Sequence, residues 1–201
     1  MAEIHVVPML NPDGVIIGNS RVNLGGVDMN RRWGASVLDR NVTPEVFMLK
    51  EYLQCLKSRV LMYLDLHGHT KGEGIFFYAC QPEVTHQKDD KFFNTQVLEK
   101  TILVRALPTL LGKRSPFFNL ARNKYYSLKK DGESKKLNTA RVVSTQELGI
   151  DQSYTVESSF FCYSVPNKAG VRKPLTQKTF VRAGADLLQG VYTITFTTLK
   201  L

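Results

Sequence analysis

His67-Gly68-His69 ends a near-continuous apolar run, Val60 to Leu66. A histidine placed where a buried strand gives way to a glycine turn lies at the sheet edge where open α/β folds bind ligands. It can serve there as a metal ligand, a general base or a capped structural residue. Residues two apart share a face of a strand, so His67 and His69 could both reach one ion, although Gly68 weakens the case for regular strand geometry. Asn30-Arg31-Arg32-Trp33 follows Asp28. An arginine fork grips a carboxylate through two charge-assisted hydrogen bonds, and an adjacent asparagine adds a donor. The alternative is an ordinary pair of surface arginines. Arg21, nine residues before Asn30, has the same two readings. Glu157 interrupts the run Tyr154-Thr155-Val156-Glu157-Ser158-Ser159-Phe160. A carboxylate in a buried strand is costly unless paired, and such carboxylates make good general bases. The alternative is an edge-strand glutamate facing water.

Positioning these groups takes strands and helices in alternation. His5-Val6-Val7-Pro8-Met9-Leu10 reads as a short buried strand that ends at the turn signal Asn11-Pro12-Asp13-Gly14. From there to Trp33 the chain is polar and carries Gly18, Gly25 and Gly26, the composition of an irregular surface loop. Thr43-Pro44-Glu45 opens a helix, with Thr43 as N-cap and Pro44 at its first position; Val46, Leu49, Leu53 and Leu56 give it a buried face. Val60 to Leu66, broken only by Asp65, suits a central strand, and Ile75 to Cys80 a second. A helix is expected from Asp90 to Leu110, ending near Gly112. Val142-Val143 is expected to start a strand, and Ser153 to Phe161 to form another. The last helix is expected over Thr176 to Leu188 with Gly190 as its stop, and Val191 to Leu201 should run extended. Interleaved strands and helices indicate an α/β class, with a mixed, mostly parallel sheet flanked by helices.

The composition is that of a globular protein: 201 residues, 43% apolar and 22% charged. No run of 18 or more apolar residues suggests a spanning helix, and no membrane partner is expected. Met1-Ala2-Glu3-Ile4-His5 lacks the basic and apolar regions of a secretory signal. Cys55, Cys80 and Cys162 are widely spaced and read as reduced thiols, the state usual in the cytosol. The net charge is +9, and the stretch from Lys113 to Arg141 holds nine lysines and arginines against Asp131 and Glu133, a net +7. That segment is either a solvated loop or a field attracting an acidic partner. No nucleic-acid-binding motif accompanies it, so nucleic acid is not expected as that partner.

In their order, these pieces resemble one family. Val7-Pro8-Met9-Leu10-Asn11-Pro12-Asp13-Gly14-Val15, Gly18-Asn19-Ser20-Arg21 and Gly26-Val27-Asp28-Met29-Asn30-Arg31-Arg32-Trp33 are similar to blocks of the zinc metallocarboxypeptidases. Asp65-Leu66-His67-Gly68-His69-Thr70 and Ser153-Tyr154-Thr155-Val156-Glu157 continue the likeness. It is clearest over residues 4–165, and Pro-Met-Leu-Asn-Pro-Asp-Gly-Val and Asp-Leu-His-Gly-His are typical of the cytosolic carboxypeptidase branch, which trims glutamates from protein tails, chiefly those of tubulin. The resemblance implies a cytoplasmic enzyme, microtubule- or cilium-associated, acting on acidic protein tails. It implies that His67 is a zinc ligand, that Arg21 holds the oxyanion, that Asn30 and Arg31 bind the substrate's terminal carboxylate, and that Glu157 is the general base. His69 is read as lining the pocket or contacting it from outside the ligand set.

The family's remaining zinc ligands come from a His-x-x-Glu pair upstream of the matched blocks. None of His5, His67, His69 and His86 has a glutamate three positions on. The chain therefore reads as a partial catalytic domain over residues 1–201, incomplete at its N-terminus, with one zinc ligand present and two expected upstream. The alternative is a catalytically inactive pseudoenzyme or fragment that binds acidic C-terminal tails without hydrolysis.

Overall fold

The computed structural model describes residues 2–82, 95–127 and 137–198. They fall into two compact bodies, one of residues 2–61 with 137–150, the other of residues 62–82, 95–127 and 151–198. In chain order the elements are α1 (Pro12–Ile16), α2 (Pro44–Leu56), β1 (Met62–His69), β2 (Ile75–Gln81), α3 (Thr95–Arg114), β3 (Lys124–Ser127), α4 (Ala140–Gln146), β4 (Gln152–Ser159), β5 (Cys162–Ser164), β6 (Arg172–Pro174) and α5 (Gln177–Thr198). His86, the start of the helix expected from Asp90, and residues 128–136 of the lysine-rich stretch lie outside the described residues.

In the first body, Asn11 turns the chain. Its Oδ1 accepts the Gly14 N–H (3.1 Å) while its Nδ2 donates to the Val22 carbonyl (3.0 Å), and Pro12 takes the first helical position of α1. A Cβ on Gly14 would meet Asn11 Nδ2 at 2.2 Å and the Val22 carbonyl at 2.6 Å, so only glycine fits there. α2 begins as expected, although the Thr43 hydroxyl donates to the Asp39 carbonyl (3.3 Å). Its buried face is Val46, Lys50 and Leu53. Lys50, 3% exposed, donates to the Trp33 carbonyl (2.8 Å) and to the Glu147 carboxylate (2.5 Å), which is what makes its burial tolerable.

Two expectations fail in this body. His5 to Leu10 is neither strand nor buried, with Val6 75% and Val7 53% exposed. An apolar run becomes a strand only against an edge that pairs with it, and the body's described residues form no ladder beyond the isolated bridge between Val22 and Asp28. Val142-Val143 lies inside α4, where burial of every residue from Ala140 to Ser144 outweighs the valines' preference for strands.

The second body is built on a four-stranded sheet ordered β1-β4-β2-β3. β1 runs parallel to β4 and β2 parallel to β3, while β4 and β2 are antiparallel, so the sheet is mixed and mostly parallel. Alternation divides its faces. Ile75, Phe77, Ala79, Tyr154 and Val156 point into one core with Val104, Leu107 and Leu111 of α3 and Ala183, Leu187, Val191 and Ile194 of α5. The Tyr154 hydroxyl donates to the Val104 carbonyl (3.1 Å), which satisfies a polar atom that β4 sends into that core. The residues between them on β1 and β4, namely Tyr63, Asp65, His67, His69, Ser153, Thr155, Glu157 and Ser159, occupy the opposite face.

α3 runs two residues past Gly112. α5 does not stop at Gly190, and Val191–Thr198 is helical rather than extended. Gly190 is a packing residue: a Cβ there would lie 2.9 Å from Leu111 Cδ2 and 3.1 Å from Leu107 Cδ1. The threonines that suggested a strand return their hydroxyls to the preceding turn, Thr193 to Gln189 O and Thr197 to Thr193 O, both at 2.8 Å.

Gly190→Val should therefore destabilise the protein by about 2 kcal/mol through overpacking. Gly184→Ala, at a position with nothing within 4 Å, should stabilise it by about 1 kcal/mol through helix propensity. Urea unfolding of the two variants checks both signs.

Candidate active site

β4 lies between β1 and β2, so Glu157 is on a central strand and not on an edge. Parallel pairing sets its Cα opposite that of His67, and Phe76 opposes it from β2. His67 and Glu157 are thus neighbours on one face, about 5 Å apart at the backbone, two residues before the ends of two parallel strands. Asp65, two residues before His67, holds the imidazole: its Oδ2 lies 2.8 Å from His67 Nε2. A Cβ on Gly68 would fall 2.1 Å from Phe160 Cζ, so glycine admits that ring against the other face of β1. Tyr125 and Tyr126, on β3, pair with Ala79 and Cys80 of β2, two strands removed from β1.

The first body gathers the other group. One carboxylate, Asp28, organises it. Its Oδ2 accepts from Arg21 Nε (2.8 Å) and its Oδ1 from the Asn30 N–H (3.0 Å), capping the 3₁₀ turn Met29–Arg31. Arg31 Nη1 donates to the Asn30 carbonyl (2.7 Å). Asn30 Oδ1 accepts the Ala140 N–H (2.8 Å), which fixes the amide and leaves donor chemistry to Nδ2. Arg21, Asn30 and Arg31 therefore form one cluster of oriented donors, suited to an anion. His67 and Glu157 form a second group, in the other body.

The sequence pattern of the zinc carboxypeptidase family matches residues 1–164. The chain belongs to this family. Human cytosolic carboxypeptidase 1 is 37% identical over 158 residues, covering 77% of this chain and 12% of that protein. Human cytosolic carboxypeptidase 4 is 34% identical over 158 residues, covering 77% and 14%, and cytosolic carboxypeptidase 3 of Bos taurus is 35% identical over 167 residues, covering 82% and 15%. The chain thus spans less than a sixth of the length of these curated relatives. The fold is similar to the crystal structure of a metallo-carboxypeptidase from Burkholderia cenocepacia, with a TM-score of 0.67 and 23% identity over 96% of this chain and 44% of that one.

Zinc carboxypeptidase membership raises the question of whether the residues present suit the metal. His67 suits one position: the Asp65 carboxylate on Nε2 orients the ring and leaves Nδ1 as the nitrogen with a lone pair. The described residues contain no group of three or more His, Cys, Asp or Glu able to hold an ion, so they do not make a zinc site by themselves. His69 adds no ligand through Nδ1, which accepts the backbone N–H groups of Lys71 (3.0 Å) and Gly72 (2.8 Å).

Two residues escaped the sequence reading. Asp65 reads in the sequence as a break in an apolar run, yet strict alternation places it on the same face as His67. Arg141 was counted as part of a charged stretch, yet it is 4% exposed and follows Ala140, whose amide holds Asn30.

Burial, and secondarily the negative charge of Asp65, pushes the Tyr63 phenol well above its ordinary value; burial likewise raises Tyr154. The folded chain then keeps protons that the unfolded chain gives up from about pH 10 upward, so stability should fall as pH rises through that range. Tyr63→Phe should flatten the decline in a plot of urea midpoint against pH.

Proposed function

We propose that the chain forms part of a single catalytic domain of a zinc-dependent carboxypeptidase that removes glutamate from acidic protein tails in the cytoplasm, those of tubulin on microtubules among them. The observation that carries this reading is the register that puts His67 and Glu157 side by side on one sheet face. Family membership supports the reaction class, and the printed names of the relatives support a cytosolic setting. No helix of the described residues is long and apolar enough to cross a membrane.

Each residue's part follows from its chemistry. Asn30 and Arg31 bind the free terminal carboxylate, which only an exposed chain end or a branch end offers, and so impose exopeptidase action. Arg21, steadied through Nε by Asp28, turns its remaining guanidinium nitrogens to the oxygen that gains charge during acyl transfer. Glu157 holds the proton taken from water and delivers it to the departing amine. His67 contributes one ligand to the ion, and the described residues do not complete its set. When bound, zinc supplies a Lewis acid that activates water and polarises the scissile carbonyl. Arg141 is the group that selects glutamate: a buried guanidinium one residue from the clamp's anchor favours an acidic side chain over a neutral one.

The test is glutamate release from a glutamate-tailed peptide by the full-length protein. Glu157→Gln should lower turnover by about 10²- to 10⁴-fold with zinc content unchanged, His67→Ala should lose zinc, and Arg141→Met should reduce the preference for glutamate over alanine by about tenfold or more. A wild-type protein that binds the tail but holds no zinc and releases nothing would overturn the enzyme. An unchanged preference in Arg141→Met would overturn the basis given for selectivity.

A further inference from the structure

The two histidines of β1 sit two residues apart on one face, yet their rings are held from opposite ends. His67 is held at Nε2 by an acceptor, the Asp65 carboxylate. His69 is held at Nδ1 by two donors, the backbone N–H groups of Lys71 and Gly72. A nitrogen that accepts two N–H groups carries no proton, so the proton of His69 resides on Nε2. The ring cannot swing: its edge packs on Phe76 with centroids 5.2 Å apart at 70°. The turn after β1 is shaped to this arrangement, since a Cβ on Gly72 would come 2.5 Å from Phe76 Cε1 and 3.1 Å from His69 Nδ1. His69 is half-buried, and among the described residues its Nε2 has no hydrogen-bond partner.

We infer that His69 is a substrate-binding residue whose fixed Nε2–H donates to an oxygen of the peptide tail, about 7 Å along β1 from His67. The inference rests on the proposed peptidase reading. It assigns complementary tasks to the two histidines, a lone pair from His67 and a proton from His69. The acceptor is a carbonyl or a carboxylate oxygen, and the substrate that presents it lies along the face bearing Glu157.

Two substitutions separate this role from simple support of the turn. Asparagine at 69 places Oδ1 where the imidazole has Nδ1, so His69→Asn keeps the acceptor for the turn and removes the donor. Glutamine places a nitrogen where the imidazole has Nε2, so His69→Gln keeps the donor and removes the acceptor. The experiment titrates a peptide ending in consecutive glutamates into the full-length protein by calorimetry, in a Glu157→Gln background that prevents turnover. His69→Asn should unfold like the parent and bind the peptide about tenfold more weakly; His69→Gln should unfold at lower urea and bind within about threefold of the parent. Replacing the penultimate glutamate of the peptide by norvaline, which has no side-chain acceptor, identifies the acceptor: the tenfold effect vanishes for a side-chain carboxylate and persists for a backbone carbonyl, and either result upholds the donor. Parent-like binding by His69→Asn, with binding lost in Arg31→Ala, would overturn the donor role and leave the peptidase reading intact. No binding by the parent protein would overturn both. As an independent check of the premise, nitrogen-15 spectra of the metal-free protein should show His69 with its proton on Nε2; a proton on Nδ1 would overturn the inference before any peptide is added.

Discussion

The parallel pairing of β1 with β4 is the constraint on which the second body depends. Among the described residues β4 is the only strand flanked on both sides by long partners, and its alternation does two jobs at once. Tyr154 and Val156 fill the core against α3, while Glu157 between Val156 and Ser158 is turned to the other face. Burying the first two fixes the direction of the third. A carboxylate on a central strand would be costly in an apolar layer, and the sheet avoids that cost by keeping one face polar from Ser153 to Ser159.

The first body solves a different problem, that of holding Arg21 and the backbone of Asn30 in fixed places. Asp28 does so with one carboxylate, capping the backbone of Asn30 through one oxygen and steadying Arg21 through the other. Because both bonds share an anion, Arg21 and the backbone of Asn30 are mechanically one unit. The cap also explains the glycines nearby: Gly18 and Gly26 have φ of 83° and 73°, so the loop turns back on itself where other residues would be strained.

Much of this was legible in the sequence. Periodicity located α2, β1, β2 and β4, and the resemblance drawn from the ordered blocks pointed to the family that the chain belongs to. The failures have physical causes. Val142-Val143 and Val191–Thr198 have the composition of strands, but tertiary burial and hydroxyl bonds within the helix override local preference. Gly190 reads as a stop because spacing alone cannot distinguish a helix terminus from a point where two helices touch. His5 to Leu10 has strand character without a partner among the described residues, and pairing is a property of two segments. The candidate site residues are more legible in the sequence than the groups that orient them. Arg21, Asn30, His67 and Glu157 have distinctive types in distinctive blocks, whereas Asp28 and Asp65 become meaningful only when hydrogen bonds can be seen.

Among the described residues β1 is the end strand of its sheet, joined to a neighbour along one side by eight paired residues. A strand zipped on one side could slide, and a shift of a single residue would invert every side chain: Leu66 would take the place of His67 and the imidazole would face the wrong way. What opposes that shift is the seating of Met62 and Leu64 against the core. These two side chains act as the alignment pins of the histidine, whose direction is set by the fit of two ordinary apolar residues.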